Sequence, residues 1–188
     1  MSTYVVKIKG STVCDTNRVE RGSNNTNITN WNIGHLFIYC VAIGQDGRDP
    51  PAAVLKLQWR VVGGAYADLG ATGAIKYTTG TVLTNDNAVA DTERKIAVSN
   101  MTWQEGWEVE DGVAPTIDIG NDGYSELQFA CDPADATVGS TYEFQLYNNT
   151  ASAAVLIETG SMLTMKMSTS LGVSVADCVA PLTKLGGN

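Results

Sequence analysis

Nearly every apolar run in this chain is short and alternates with period two, the spacing of a β-strand buried on one face. The run VLKLQWRVV places Leu55, Leu57, Trp59 and Val61 on one face, and Gly-Gly follows it as a turn. The run HLFIYCVAI, residues 35–43, is apolar at both even and odd positions, which is typical of a central strand that is buried on both faces. Helical spacing is almost absent, so the sequence predicts an all-β protein.

The distribution of polar segments predicts one β-sandwich with an arm at each end. The run TYVVKIKGS alternates as a strand that we expect to end at Gly10. The stretch CDTNRVERGSNNTNITNW that follows is Asn-rich and has too few apolar residues to form core. We therefore predict an N-terminal strand and polar arm over residues 1–33, a sandwich over residues 34–167 and a C-terminal arm over residues 168–188.

Later segments of the chain are assigned in the same way. The segment between Met101 and Gly123 is acidic and turn-rich, and we interpret it as a long connection between two sheets. The run YSELQFACD then resumes the alternation and is expected to place Leu127, Phe129 and Cys131 inward. These assignments leave a sandwich core built from alternate residues of each strand.

The stretch DATVGSTYEFQLYNNT, residues 135–150, has the composition of a corner between two sheets. A chain that crosses between sheets needs a tight turn, which Gly139 permits, and a side chain that holds the turn. Tyr142 can bury its ring while its hydroxyl bonds to a nearby backbone group. Phe144, two residues further on, is predicted to lie in the core.

The corner VGSTYEFQLYN resembles the PGTxYxFRVxN corner that enters a late strand of fibronectin type III and related immunoglobulin-like domains. LKLQWRVVGG is similarly placed to supply their core tryptophan, Trp59. The resemblance covers residues 34–167 and implies a single antiparallel immunoglobulin-like β-sandwich. Cys40 lies where an immunoglobulin domain has its first core cysteine, but Phe144 stands in place of the second, so that disulfide is expected to be absent.

Charge and hydropathy indicate which partners to expect. The formal net charge is −8, and no cluster of Lys and Arg offsets it, so we expect no nucleic-acid partner. No run approaches the roughly 18 apolar residues of a membrane span, so we expect no membrane partner. The N-terminal residues lack the apolar core of an export signal, and we expect synthesis in the cytoplasm.

The four cysteines are widely spaced and contain no C-x-x-C pair, which argues against a zinc ribbon or a thioredoxin-type centre. We interpret Cys14, Cys40, Cys131 and Cys178 as structural thiols, because free cysteine behaves as a small buried hydrophobe. A disulfide between Cys14 and Cys178 is the alternative, and it would suit an extracellular particle.

Signs of catalysis or of cofactor binding are weak. The single histidine, His35, begins the most apolar strand, and no serine sits in a G-x-S-x-G elbow. No glycine cluster opens a helix to hold a phosphate. We therefore expect neither an enzyme nor a cofactor-binding protein.

Two acidic loops have the composition, but not the spacing, of a calcium site. Asp86, Asp91, Asp118 and Asp122 lie in NDNAVAD and DIGNDG, but neither has the ligand spacing of a calcium loop. Asn and Asp are common turn residues, so turn formation is the simpler explanation and no metal site is predicted.

Aromatic and acidic residues alternate in one segment, where Trp103 and Trp107 are interleaved with Glu105 and Glu108. Sugar rings stack on indole faces, so these residues could form a glycan-binding surface. They could equally fill a satellite core or a subunit contact in a solvated loop. Paired carboxylates for glycoside hydrolysis are the third and weakest alternative.

Many bacteriophage virion components resemble such a sandwich, and this resemblance implies a structural role in a virus particle. We expect a capsid decoration protein, with a tail structural protein as the variant, made in the host cytoplasm and exposed on the particle surface. Its partners would be copies of itself and the major capsid or tail protein, held by the two arms. The alternative is a glycan-binding module on a tail or host-recognition appendage.

Overall fold

The computed structural model describes residues 6–45, 50–158 and 162–169. In these ranges there is no helix and the strands form two sheets, so the all-β prediction is confirmed. In chain order the strands are β1 (Lys7–Cys14), β2 (Ile28–Asn32), β3 (Phe37–Gly44), β4 (Ala53–Val61), β5 (Ala67–Asp68), β6 (Lys76–Tyr77), β7 (Ala88–Val89), β8 (Thr102–Trp103), β9 (Gly106–Val109), β10 (Val113–Ile117), β11 (Gly123–Asp132), β12 (Thr141–Asn148), β13 (Ala153–Ala154) and β14 (Met165–Ser168).

The first sheet has the order β1-β3-β11-β9-β7, and β6 and β8 also pair with β11. Every residue of β3 is buried, as its apolar run predicts for a central strand. β3 pairs antiparallel with β1 on one side and with β11 on the other, in a continuous register from Phe37↔Cys131 to Gly44↔Tyr124. The most apolar strand of the chain is thus central in its sheet.

The second sheet has the order β10-β4-β12-β14-β2, with β5 paired to β4 and β13 paired to β12. Burial alternates along β12, where Tyr142, Phe144 and Leu146 are buried and their neighbours are half-buried. β4 pairs antiparallel with β12 in register from Val61↔Tyr142 to Leu55↔Asn148. These two strands present the inner face of the second sheet.

The two sheets pack through one apolar core that both inner faces share. Phe144 of the second sheet packs edge-on against Phe37, with ring centroids 6.2 Å apart. It also packs against Tyr39, at 4.4 Å. Aromatic pairs of this kind contribute about 0.5–1.5 kcal/mol beyond the area that they bury. Phe144 therefore joins the sheets by packing.

Strand directions differ from the predicted antiparallel sandwich, because both sheets are mixed. β8 and β9 run parallel to β11, and β14 runs parallel to β2. The chain leaves β9 for β10 in the second sheet and returns to the first sheet as β11. A crossover of this kind brings the chain back in its original direction. The prediction of a wholly antiparallel sandwich is therefore wrong.

The segment between Met101 and Gly123 is not the long connection that its acidity suggested. It contains β8, β9 and β10, which pair in both sheets. Gly106 allows β9 to approach its neighbour, because an added Cβ there would lie 2.1 Å from the Glu126 carbonyl oxygen. The turn-rich composition hid these short strands, whose pairing partners are distant in sequence.

The predicted N-terminal arm is paired with the rest of the fold where the structure describes it. β1 continues through Gly10, where the register shifts as in a β-bulge, so the predicted strand end at Gly10 is wrong. The polar stretch returns to the second sheet as β2. Residues 170–188, most of the predicted C-terminal arm, lie outside the described residues, and the domain boundaries stay a prediction.

The corner before β12 is held by Tyr142. Its ring is fully buried, and its hydroxyl accepts a hydrogen bond of 2.9 Å from the Thr137 backbone N–H. Gly139 has φ +84°, in the left-handed region that favours glycine, and its N–H donates to the Met167 carbonyl at 2.8 Å. The turn is therefore fixed both to β12 and to β14.

Trp59 lies at the margin of the core. It is only partly buried, and its ring centroid is 5.8 Å from that of Tyr142. Gly73, at φ +117°, leaves room for the indole, because an added Cβ would lie 2.9 Å from the ring. Val61, which the alternation places inward, is 40 % exposed at the last residue of β4. The part of β4 that packs against the core thus ends before Val61, the last residue of the strand.

Replacing Tyr142 by Phe should lower the free energy of unfolding by about 1 kcal/mol, because the ring stays while the Thr137 N–H loses its acceptor. The measurement is urea denaturation followed by tryptophan fluorescence. Tyr147→Phe on the same strand is the control and should change stability little, since water can solvate that half-exposed site. Equal unfolding midpoints for Tyr142→Phe and Tyr147→Phe would show that the hydrogen bond between Thr137 and Tyr142 contributes nothing to stability.

Candidate interaction surfaces

The structure separates the two tryptophans that were candidates for a glycan or subunit contact. Trp103 pairs with Tyr124, and the two rings pack edge-on at 5.4 Å. The Arg94 guanidinium lies 5.5 Å from the Trp103 ring centroid. Trp107 pairs with Leu127 and packs against the core between the sheets. The two indoles therefore lie on opposite faces of the first sheet and do not form one platform.

The two glutamates of the same candidate group have different surroundings. Glu105 is exposed. Glu108 is buried and forms an ion pair with Arg18. Arg18 also donates to Glu93 at 2.6 Å and to Gln128 at 3.1 Å. This buried group links the loop after β1 to the outer face of the first sheet.

A second buried carboxylate, Glu126, holds the long segment 78–101 against that outer face. Its oxygens accept hydrogen bonds from the backbone N–H groups of Lys95 at 2.9 Å and Ile96 at 2.8 Å. They also accept one from the Gln128 amide at 2.7 Å. Burial raises the pKa of the Glu126 carboxyl, and these hydrogen bonds oppose the rise.

Sequence reasoning missed the role of these carboxylates. The alternation of β11 correctly places Leu127 inward and Glu126 outward, but it does not show that other residues cover the outer face. The available signal was in segment 78–101, where Leu83 and Ile96 are apolar and need burial. The run ERKIAVS reads as a short strand in the sequence, but it forms no strand in the structure. These two side chains pack into a small cluster on the outer face.

Three of the four cysteines fall in the described residues, where they are buried free thiols. Cys14 and Cys40 belong to the outer-face cluster, and Cys131 belongs to the main core. Burial raises the pKa of the Cys40 and Cys131 thiols, so both stay protonated at neutral pH. Cys178 lies outside the described residues, so a Cys14–Cys178 disulfide stays an alternative.

The acidic loops contain turn residues. Asp86 and Asp122 have φ +60° and +51°, a left-handed conformation that Asp adopts more readily than most residues. In the described part of the chain, no three acidic, His or Cys side chains are grouped so as to hold a metal ion. The same ranges contain no helix long and apolar enough to cross a membrane.

An apolar strip, residues 151–157, lies on the surface after β12. Its sequence is ASAAVLI, and every residue except Val155 is exposed. Leu156 is 62 % exposed and Ile157 is 51 % exposed. A depression of about 240 Å³ adjoins the strip, lined mainly by apolar side chains and including Val6. Contiguous exposed apolar surface of this kind is typical of protein contacts.

The apolar strip is held against the outer edge of β1. The Ile8 N–H donates to the Leu156 carbonyl at 2.8 Å, and the Glu158 N–H donates to the Ile8 carbonyl at 3.0 Å. The Glu158 carboxylate forms ion pairs with Lys9, whose side chain is buried, and with Lys7 at 3.1 Å. Hydrogen bonding from Lys9 lowers the pKa of Glu158 below 4.5, against the effect of burial, and Lys7 adds to the lowering.

A polar groove of about 770 Å³ lies beside β2. His35 is at its exposed rim, and the His35 carbonyl accepts a 2.8 Å hydrogen bond from the Trp31 indole. Asp15 forms an ion pair with Arg21 at 2.5 Å along the same groove. The lining residues are Asp15, Thr16, Asn17, Arg21, Ile28, Asn30, Trp31, Asn32, Gly34, His35 and Leu36.

The fold and these surfaces define an all-β protein of two packed mixed sheets. Comparisons with protein-family models, with curated proteins and with solved structures found no match. The two-sheet architecture is shown by the structure, whereas an immunoglobulin-like fold stays a prediction from the two sequence motifs.

Replacing Glu158 by Gln should lower the free energy of unfolding by about 1 kcal/mol at pH 7, because partial exposure limits what the ion pairs contribute. The native pKa lies below the unfolded value, so this contribution is complete above pH 4.5 and is lost as the pH falls through the native pKa. Urea denaturation across this pH range measures it. A difference from wild type that does not shrink on acidification would contradict the ion-pair explanation.

Proposed function

We propose that this protein is a non-enzymatic structural subunit that binds copies of itself and other proteins of one assembly. The observation that carries the proposal is the apolar strip, where Leu156 and Ile157 are both more than half exposed. Two adjacent large apolar side chains lose contact with water when a partner covers them, which stabilises association. Their backbone is tied to β1, so the strip is presented in a fixed position.

The specific assembly that we propose is a virus particle, on which the protein would be a capsid decoration protein. A tail structural protein is the variant. The support is the resemblance of the corner around Tyr142 to immunoglobulin-like domains, which many bacteriophage virion components resemble, together with a sandwich-like fold that joins its sheets by packing. The major capsid or tail protein would be the second partner, on the particle surface.

Replacing both Leu156 and Ile157 by Ser should weaken self-association by at least about tenfold, because two apolar contacts of about 1 kcal/mol or more each are lost. Sedimentation velocity over a range of concentrations measures the association, and electron microscopy shows the form of any assembly. The fold should remain, since both side chains are exposed in the single chain.

The matched control is Val19→Ser, which replaces another exposed apolar residue, 55 % exposed, away from the strip. It should associate as the wild type does. A wild-type chain that stays monomeric at high concentration, or a double variant that associates like the control, would count against the strip as the contact surface.

A glycan-binding module on a tail or host-recognition appendage is the second candidate. It is favoured by Trp103, which is half-buried and lies in the same segment as the exposed Glu105. An indole with an exposed portion can stack on a sugar ring, and a nearby carboxylate can accept hydrogen bonds from sugar hydroxyls. Trp107 does not belong to this candidate surface, since it packs on the core.

If glycans bind at Trp103, replacing it by Ala should abolish retention on a glycan array while self-association is unchanged. Trp107→Ala is unsuitable as a test, because it removes a core contact and would destabilise the fold. Glu105→Gln should weaken retention less, since an amide still accepts one hydrogen bond. Absence of retention by the wild-type chain on the whole array would reject this candidate.

A further inference from the structure

β2 is the terminal strand of the second sheet among the described residues. It pairs with β14 on one side, and the polar groove is lined by Ile28, Asn30, Trp31 and Asn32 of β2 but by no residue of β14. The Ile28 N–H donates to the Thr164 carbonyl at 2.8 Å, so it faces β14. The register shifts between Ile28 and Trp31, and beyond the shift the Ile33 N–H donates to the Ser168 carbonyl of β14. Because successive strand N–H groups point to opposite edges, the Asn32 N–H is directed away from β14. β2 therefore presents a backbone donor to an added strand.

Other sheet edges are less suited to accept a strand. β1 is lined on its outer side by residues 156–158 and by the Arg21 and Asn25 N–H groups, which donate to Val13 and Ser11 carbonyls. β10 contains Pro115, which has no N–H to donate, and β7 has two residues. Within the described ranges, β2 thus has an edge that is both unpaired and bordered by a groove.

The sequence that follows β14 has the pattern of a strand. Residues 170–188 read SLGVSVADCVAPLTKLGGN, in which Leu171, Val173 and Val175 alternate with small residues. The segment is nearly free of charge, so it meets no strong repulsion beside the ion pair of Asp15 and Arg21. It is also longer than the five residues of β2.

We propose that the free edge of β2 binds residues 170–188 of a second copy of this chain, as an added strand that fills the groove. Backbone hydrogen bonds would supply affinity, and the groove would receive alternate side chains. The inference rests on the proposed structural role, and it names the site and the segment through which copies join.

A second copy fits better than the chain's own segment. The chain leaves β14 at Ser168, on the far side of β2 from the groove, and the Ile33 N–H donates to the Ser168 carbonyl at 3.0 Å. Gly34, His35 and Leu36 then line the groove at this end of β2. Residues at the end of β2 thus lie between Ser168 and the groove, which favours a segment from a second copy.

The first test compares Asn32→Pro with Asn32→Ala in the full chain. Proline removes the outward N–H and alanine keeps it, while both lose the side-chain oxygen that accepts from the Gly34 N–H. Sedimentation velocity should show association at least about tenfold weaker for the proline variant than for the alanine variant. Circular dichroism and thermal melting identify any loss of folding. Folded proline and alanine variants that associate equally would overturn the inference.

The second test locates the bound segment directly and does not depend on a variant that could unfold. A photoreactive amino acid replaces the exposed Asn30 in the full chain, and ¹⁴N-labelled and ¹⁵N-labelled chains are mixed before irradiation. Mass spectrometry should find cross-links from position 30 to residues 170–188 that join heavy and light chains. Cross-links that never join a heavy chain to a light chain would overturn the inference. Cross-links that reach only segments other than residues 170–188 would overturn it as well.

The two proposals can fail separately. If Leu156→Ser with Ile157→Ser abolishes association while position 30 forms no heavy-light cross-link to residues 170–188, the structural role stands and the β2 site is wrong. If the wild-type chain is monomeric at every concentration and forms no heavy-light cross-link, both are wrong. Association that is lost with Asn32→Pro, is kept with Asn32→Ala and gives mixed cross-links supports both.

Discussion

The packing of Phe144 against Phe37 and Tyr39 is the contact on which the rest of the structure depends. It joins one central strand of each sheet, and no disulfide takes its place, because the described cysteines are free. Burying an aromatic side chain of this size contributes about 1.5–3 kcal/mol. This contact fixes β3 and β12 to each other. The chain must then cross between the two sheets, and it does so at the corner held by Tyr142 and through β10.

The first sheet is covered on both faces, and its two coverings differ in chemistry. The inner face packs against the second sheet through apolar side chains. On the outer face, the buried carboxylates of Glu108 and Glu126 bind backbone N–H groups of segment 78–101. A long loop with few strand hydrogen bonds thereby gains partners for its polar groups, which would be costly to bury unpaired.

The surfaces that remain open differ in kind from these covered faces. The strip of residues 151–157 is apolar and anchored to β1, whereas the groove beside β2 is polar and borders a strand edge with no partner strand among the described residues. An apolar surface adds affinity with little directional preference, while a strand edge fixes the register of what it binds. Both surfaces are consistent with the proposed role of a subunit that joins its neighbours in one geometry.

Local pattern determined the all-β class, the central position of β3 and the strand with Phe144 inward, because strand alternation is a property of neighbouring residues. Tertiary structure alone decided the parallel strands, the strands hidden between Met101 and Gly123, and the burial of Glu126, because each depends on segments far apart in sequence. The same holds for Trp103 and Trp107. Because they are four positions apart in an acidic segment, the sequence suggests that they form one surface. The irregular path from β8 to β9 and the pairing of both strands with β11 instead place them on opposite faces of the first sheet.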